Sequence, residues 1–152
     1  KNMAEKQYVV FKLAGEDYGV DIMNVKEICE YKESIKIPNA PSFVDGIINL
    51  RGDITPIINL KKRFRLEDQG ITSDTRIIVI NIQNKQVGFI VDEASQVLRI
   101  SEENIEPAPE LVVGIDKKYI EGVGKLDERI IIILNLEHIL SEEEKKEIQQ
   151  ME

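Results

Sequence analysis

The sequence predicts an all-β protein: two small barrels of about five short antiparallel strands each, packed together, with a carboxy-terminal helix. Three observations carry that expectation. Ile and Val make up 37 of the 152 residues, and β-branched side chains fit a pleated surface better than a helix. Short apolar stretches alternate with hairpin-sized turns along the whole chain, the pattern of small barrels. The third observation is a repeat. Residues 43–60 align without a gap with residues 119–136, so that Phe43 meets Tyr119, Asp45 meets Glu121, Gly46 meets Gly122, Leu50 meets Leu126, Ile54 meets Ile130, and Asn59-Leu60 meets Asn135-Leu136.

The elements follow in order. Residues 8–13 alternate as a strand, residues 14–17 make a hairpin turn, and residues 18–21 return. A helical turn is expected over 22–27 and a strand over 28–33. Pro38 and Pro41 bracket a loop, because proline lacks the donor a ladder needs. The first copy of the repeated hairpin comes next. Pro56 lies inside its second strand, which predicts an edge or a bulge there. Residues 61–65 read as a helical turn, and a polar loop leads to the second half. There, 76–82 is a strand, 83–86 a turn and 87–91 the return; Phe11, Leu13 and Gly19 match Ile80, Ile82 and Gly88. Residues 94–100 continue the sheet, 101–105 turn, and Pro107 and Pro109 open an irregular loop. Residues 130–134 have no polar face and are expected to be buried on both sides. Ser141 and Glu144 form a capping box that starts a helix over 141–152, with Glu142 and Lys146 one turn apart. The repeat units, about 7–66 and 75–140, are each too small to be secure alone, so the chain reads as a single domain of two interleaved barrel subdomains.

Composition narrows function. The net charge is −8, whereas a phosphate backbone calls for clustered positive charge, so nucleic-acid binding is disfavoured. No apolar run approaches the roughly 20 residues of a membrane helix, and direct membrane insertion is not expected. One Cys, Cys29, and one His, His138, give no zinc constellation of the usual type and no internal disulfide. Cys29 has no evident activating base and reads as a packed thiol. His138 reads as an ordinary helix residue, since a general base needs partners within reach. The basic cluster Lys61-Lys62-Arg63-Phe64-Arg65 reads as a solvated patch, with docking to an acidic partner as the other option. Neither a dinucleotide-binding glycine pattern nor a phosphate-binding loop is present. No cofactor is expected.

The duplication itself sorts residues. Features in both copies, such as Gly46 and Gly122, are scaffold. Features in one copy are candidates for function. Arg51 and Gly52 are replaced by Asp127 and Glu128 in the second copy. Arginine's planar fork suits carboxylates and carbonyls at interfaces, so the Arg51 turn is the first candidate binding site.

The stretch from Gly46 to Leu60, with Asn49-Leu50-Arg51-Gly52 at its turn, resembles the CheW family of bacterial chemotaxis coupling proteins. Residues 18–22 (Tyr-Gly-Val-Asp-Ile), 87–92 (Val-Gly-Phe-Ile-Val-Asp) and 106–110 (Glu-Pro-Ala-Pro-Glu) are similar as well, and the likeness spans about 7–140. The resemblance implies two five-stranded SH3-like barrels. It implies a non-catalytic adaptor in the cytoplasm, beside receptor arrays, that joins the cytoplasmic tip of methyl-accepting chemoreceptors to the regulatory domain of the histidine kinase CheA. Carried over by position, receptor contact falls on Val25, Glu27, Arg51, Val97 and Leu98, in a groove between the barrels. Kinase contact falls on Ile54 and Arg76 at a barrel end, and a second, array-forming contact on Glu106 and Leu111. The alternative is the CheW-like regulatory domain of a CheA-type kinase, or the coupling part of a CheV-type adaptor.

Overall fold

The structure, a computed structural model, describes residues 5–108 and 117–151. Strands β1 (Glu5–Leu13) and β2 (Glu16–Asp21) form a hairpin, and a 3-10 turn, Ile22–Asn24, leads to β3 (Glu27–Glu30). Next come β4 (Gly46–Leu50), β5 (Asp53–Asn59) and the one-turn helix α1 (Leu60–Arg63). Hairpin β6 (Arg76–Ile82) and β7 (Lys85–Val91) follows, then β8 (Glu93–Ser101), a 3-10 turn Glu102–Asn104, and β9 (Ile105–Glu106). Hairpin β10 (Ile120–Leu126) and β11 (Arg129–Leu134) leads through a 3-10 turn, Leu136–Ile139, to helix α2 (Glu142–Gln149).

The two leading hairpins turn in only two residues each. Ala14 and Gly15 have φ of 50° and 85°, and Gln83 and Asn84 have φ of 52° and 69°. Left-handed residues in pairs match the twist of the flanking strands. The turns are tighter than the four residues expected from sequence, because Glu16 already pairs with Leu13 and Lys85 with Ile82.

The strands assemble into two sheets, β8-β1-β2-β11-β10-β9 and β3-β6-β7-β5-β4. Neither sheet is drawn from one repeat. Hairpin β1–β2 joins β10–β11 through a parallel seam, Tyr18 beside Ile132 and Gly19 beside Ile133. Hairpin β6–β7 joins β4–β5 the same way, from Ile57 beside Gly88 to Asn59 beside Ile90. The halves of the sequence have thus exchanged their leading hairpins. Each sheet curls toward closure. Ile35, just past β3, bridges Ile47 of β4 with mutual backbone bonds of 2.8 and 3.0 Å. In the other sheet, the edge strands β8 and β9 are joined covalently by the single turn Glu102–Asn104. Closure of this kind removes exposed edges in an Ile-rich chain.

Strand alternation then fills three apolar layers. Tyr8, Val10, Ile100, Ile131 and Ile133 fill the first barrel. Ile48, Leu50, Ile57, Ile77, Val79 and Ile90 fill the second. The opposite faces of the same strands, including Val9, Phe11, Ile78, Ile80 and Phe89, meet in a larger layer between the barrels. Residues 130–134 were expected to be buried on both sides. Ile131, Ile133 and Leu134 are, and Ile132 is partly so, but Ile130 is 62% exposed because it begins the strand beside the hairpin turn. Pro56 sits within an interior strand. It faces Ile47 across β4, and the Ile47 backbone groups bond outward to Ile35; on its other side, β7 joins only from Ile57 onward. No ladder bond is lost there.

The capping box is formed: Ser141 Oγ accepts from the Glu144 amide at 3.1 Å and Glu144 Oε1 accepts from the Ser141 amide at 2.9 Å. Ile148 anchors α2 in the layer between barrels. The helix pair is Glu142 with Lys145, at 3.2 Å, rather than Glu142 with Lys146. Among the described residues, no helix is long and apolar enough to cross a membrane.

Candidate functional site

The two copies of the repeated hairpin share one frame. A Cβ on Gly46 would lie 2.3 Å from Ser34 Oγ and 2.8 Å from the Ile35 carbonyl; on Gly122 it would lie 2.8 Å from an Ile105 methyl and 3.0 Å from the Glu106 carbonyl. Both glycines therefore let a crossing strand lie against the hairpin. Asn59 and Asn135 each cap the turn that follows, accepting from the Lys62 and His138 amides at 3.2 Å. Each also donates, at 3.2 Å, to a carboxylate: Asp68 and Glu121 respectively. The first turn residues agree as well, with φ of 54° at Arg51 and 56° at Asp127, whereas of the second residues only Gly52 is left-handed.

What differs is the side chain on display. Arg51 is 71% exposed, and its Nη1 donates to Glu27 Oε1 on β3. That hydrogen bond, and after it the Glu27 charge, raises the guanidinium pKa further. Gly52, at φ 86°, completes the turn, and its amide donates to Asn49 Oδ1 at 2.8 Å. The arginine is thus held at the tip by the strand that crosses its barrel, and the turn beneath it is internally bonded. Val25, two residues before Glu27, closes the 3-10 turn and packs partly into the layer between barrels. Cys29 lies on the same strand, half-buried against the second barrel's core, and burial, then Glu27, pushes its thiol pKa up. That is the environment of a packed thiol.

The other sequence-predicted residues are spread over several elements. Val97 and Leu98 stand on β8, an edge strand of the other sheet; Val97 is half-exposed and Leu98 packs partly into the first barrel. Arg76 opens β6 and donates to the Ser73 and Thr75 carbonyls at 3.0 and 2.9 Å. Glu106 on β9 pairs with Lys125 at 2.8 Å, both more than half exposed. Leu111 lies outside the described residues. Ile54, on the same hairpin as Arg51, is 52% exposed beside a hollow of about 310 Å³. Sequence reasoning missed its neighbours Ile37, Pro41, Ile47 and Met151. Only tertiary packing brings them together, and no local pattern marks them.

The basic cluster is solvated only in part: Lys62 and Arg65 are exposed, but Lys61 and Arg63 are not. Lys61 is buried and pairs with Asp92 at 2.7 Å and Asp68 at 3.2 Å. Arg63 grips both oxygens of Glu144, at 2.9 and 2.5 Å, donates to the Ile139 carbonyl at 3.0 Å, and stands over the Phe43 ring. These cations fasten α1 to the neighbouring elements. His138 is exposed, in the 3-10 turn that Asn135 caps.

A double barrel that presents an ionic turn and an apolar end is a protein-binding scaffold in form. The chain belongs to the CheW family: the model of the CheW-like domain matches residues 7–144. It is similar to the chemotaxis protein CheW of Klebsiella aerogenes, 40% identical over 91% of this chain and 84% of that one. The chemotaxis protein CheW of Treponema pallidum is 37% identical over 94% and 86%. Among solved structures, the scaffolding protein TtCheW from Thermoanaerobacter tengcongensis is similar at a TM-score of 0.82 and 44% identity, covering 92% of this chain and 90% of that one.

Proposed function

We propose that this chain is a non-catalytic adaptor of bacterial chemotaxis, coupling the cytoplasmic tip of methyl-accepting chemoreceptors to a CheA-type histidine kinase in cytoplasmic receptor arrays. The observation that carries this reading is the Arg51–Glu27 pair, displayed on one copy of a duplicated hairpin whose other copy carries Asp127 and Glu128. In this reading Val25, Glu27 and Arg51, with Val97 and Leu98 across the barrel boundary, receive the receptor tip. A helical hairpin needs apolar contact flanked by charge, and these residues offer both. Ile54 and Arg76 receive the kinase regulatory domain, and Glu106 and Leu111 make the second, array-forming contact.

Arg51→Glu tests it. The charge reversal is expected to weaken capture of a receptor-tip fragment by at least about thirtyfold, the equivalent of roughly 2 kcal/mol, since it also sets Glu27 against a like charge. Affinity for the kinase regulatory domain stays within about twofold, because a group outside an interface changes its energy little. Undiminished receptor capture rejects the assignment. Isothermal titration of each partner against wild type and variant makes the measurement.

A further inference from the structure

We infer that the last turn after α2 is one wall of the kinase-facing surface, and that Met151 sets its specificity for an apolar side chain of the kinase regulatory domain; this rests on the reading of Ile54 given above. The hollow beside Ile54 is lined by Ile37, Pro41, Ile47, Ile54 and Met151, with Asn39, Ala40 and Gln150 completing it. None of these residues is charged, in a chain that is 32% charged. Ile37 and Ile54 are 39% and 52% exposed. Such apolar groups on an acidic surface mark an interaction site rather than a solvated face.

The hollow's border is equally defined. An adjoining depression shares Ile54 and Met151 but is lined by Lys26, Asp53 and Lys85. An occupant with an aliphatic knob flanked by polar or charged groups matches an uncharged centre with a charged rim. That chemistry describes a folded protein surface, and because Ile54, the kinase-facing residue of the reading above, is part of the lining, the occupant is the kinase domain.

The Met151 wall is built rather than draped. The Met151 amide donates to the Ile148 carbonyl at 3.0 Å, Lys85 Nζ donates to the Met151 carbonyl, and Gln149 reaches the carbonyls of Ile82 and Gln83 at 3.4 Å. Ile148, three residues earlier, is fully buried. Backbone and helix are therefore fixed, while the thioether at the rim remains free to adapt its shape to what enters.

The experiment compares Met151→Glu, Met151→Leu and Ile54→Glu in the full chain, by titration with the kinase regulatory domain and with a receptor-tip fragment. A charge in the hollow, in Met151→Glu, is expected to weaken kinase binding at least about tenfold, as a buried unpaired charge does at an interface. Met151→Leu stays near wild type, and receptor binding is unchanged in both Met151 variants. Thermal unfolding controls for damage to α2. If Ile54→Glu loses the kinase while Met151→Glu keeps it, the inference fails and the kinase surface stands. If Met151→Glu binds more tightly, the turn covers the surface rather than forming it, and the inference also fails. If Ile54→Glu too binds normally, the placement of the kinase at this barrel end is what fails.

Discussion

The hairpin β4–β5 and the hairpin β10–β11 are the same object used twice, once with a displayed cation and once without. They share a glycine under a crossing strand, an asparagine cap with a carboxylate partner, and a left-handed residue at the turn. They differ where one carries Arg51-Gly52 and the other Asp127-Glu128. The shared residues are those whose replacement would collide with backbone or orphan an amide. The differing residues stand at the exposed tip, where Arg51 meets Glu27 of β3. The comparison thus separates what keeps a barrel closed from what a closed barrel presents.

The strongest way to break it is at the glycines. Gly46→Ala drives a methyl into Ser34 and the Ile35 carbonyl and is expected to lower stability by about 2–3 kcal/mol. Gly122→Ala meets a methyl first, at 2.8 Å, and then a carbonyl at 3.0 Å; a loss of about 1–2 kcal/mol is expected. Urea unfolding of both variants measures the ranking. Equal stability of Gly46→Ala and wild type would mean that the crossing segment is not pinned there.

Next in size is the link between α1 and the C-terminal helix. Arg63→Ala removes both bonds to Glu144 and leaves the Ile139 carbonyl without that donor, for an expected loss of about 2 kcal/mol. The same link predicts an acid limb. Burial opposes ionised Glu144, but Arg63 and the Ser141 amide outweigh it and lower its pKa. For Asp68 the Gly70 amide comes first, reinforced by Lys61 against burial; for Asp17 burial is overcome by Lys12 and Arg129. All three carboxyls are depressed on folding. Their contribution is complete above the ordinary carboxylate range and is lost as pH falls through the lowered values. Melting temperature against pH shows that descent, and Glu144→Gln makes it shallower.

The smallest effect on folding is also the sharpest test of the comparison. Transferring only the first residue of the second turn, Arg51→Asp, is expected to leave the melting temperature nearly unchanged while receptor capture is lost; Gly52 is kept because a side chain at φ 86° would be strained. The exposed pair with Glu27 contributes little to the fold. The reverse graft, Asp127→Arg with Glu128→Gly, restores no binding, because it supplies no counterpart of Glu27.

Much of this frame was readable in the residues. The duplication marked Gly46, Gly122 and the capping asparagines, and the capping box at Ser141 and Glu144 formed as written. Local rules account for each of these. The exchange of leading hairpins was hidden, because period and turn chemistry say that a hairpin forms and not which neighbour it joins. The role of Lys61 and Arg63 was hidden for a similar reason. Their partners Asp92 and Glu144 lie 31 and 81 residues further along the chain. A run of cations reads as solvated until those partners arrive. The surroundings of Ile54 needed Ile37 and Met151, which lie 114 residues apart in the sequence. The pairing of Arg51 with Glu27 depended on β3 crossing the hairpin tip, which no spacing announces.

The parallel seams have a consequence for synthesis. Strand β2 is made well before its parallel partner β11, with β3 to β10 between them. β1 can pair with β2 and β8 as soon as those are made, but the other side of β2 has no partner until β11 follows, and contacts of such long sequence separation form slowly. Until then one edge of the β1–β2 hairpin stays unpaired. The nascent protein is most vulnerable to misassociation at that edge just before the β10–β11 hairpin emerges.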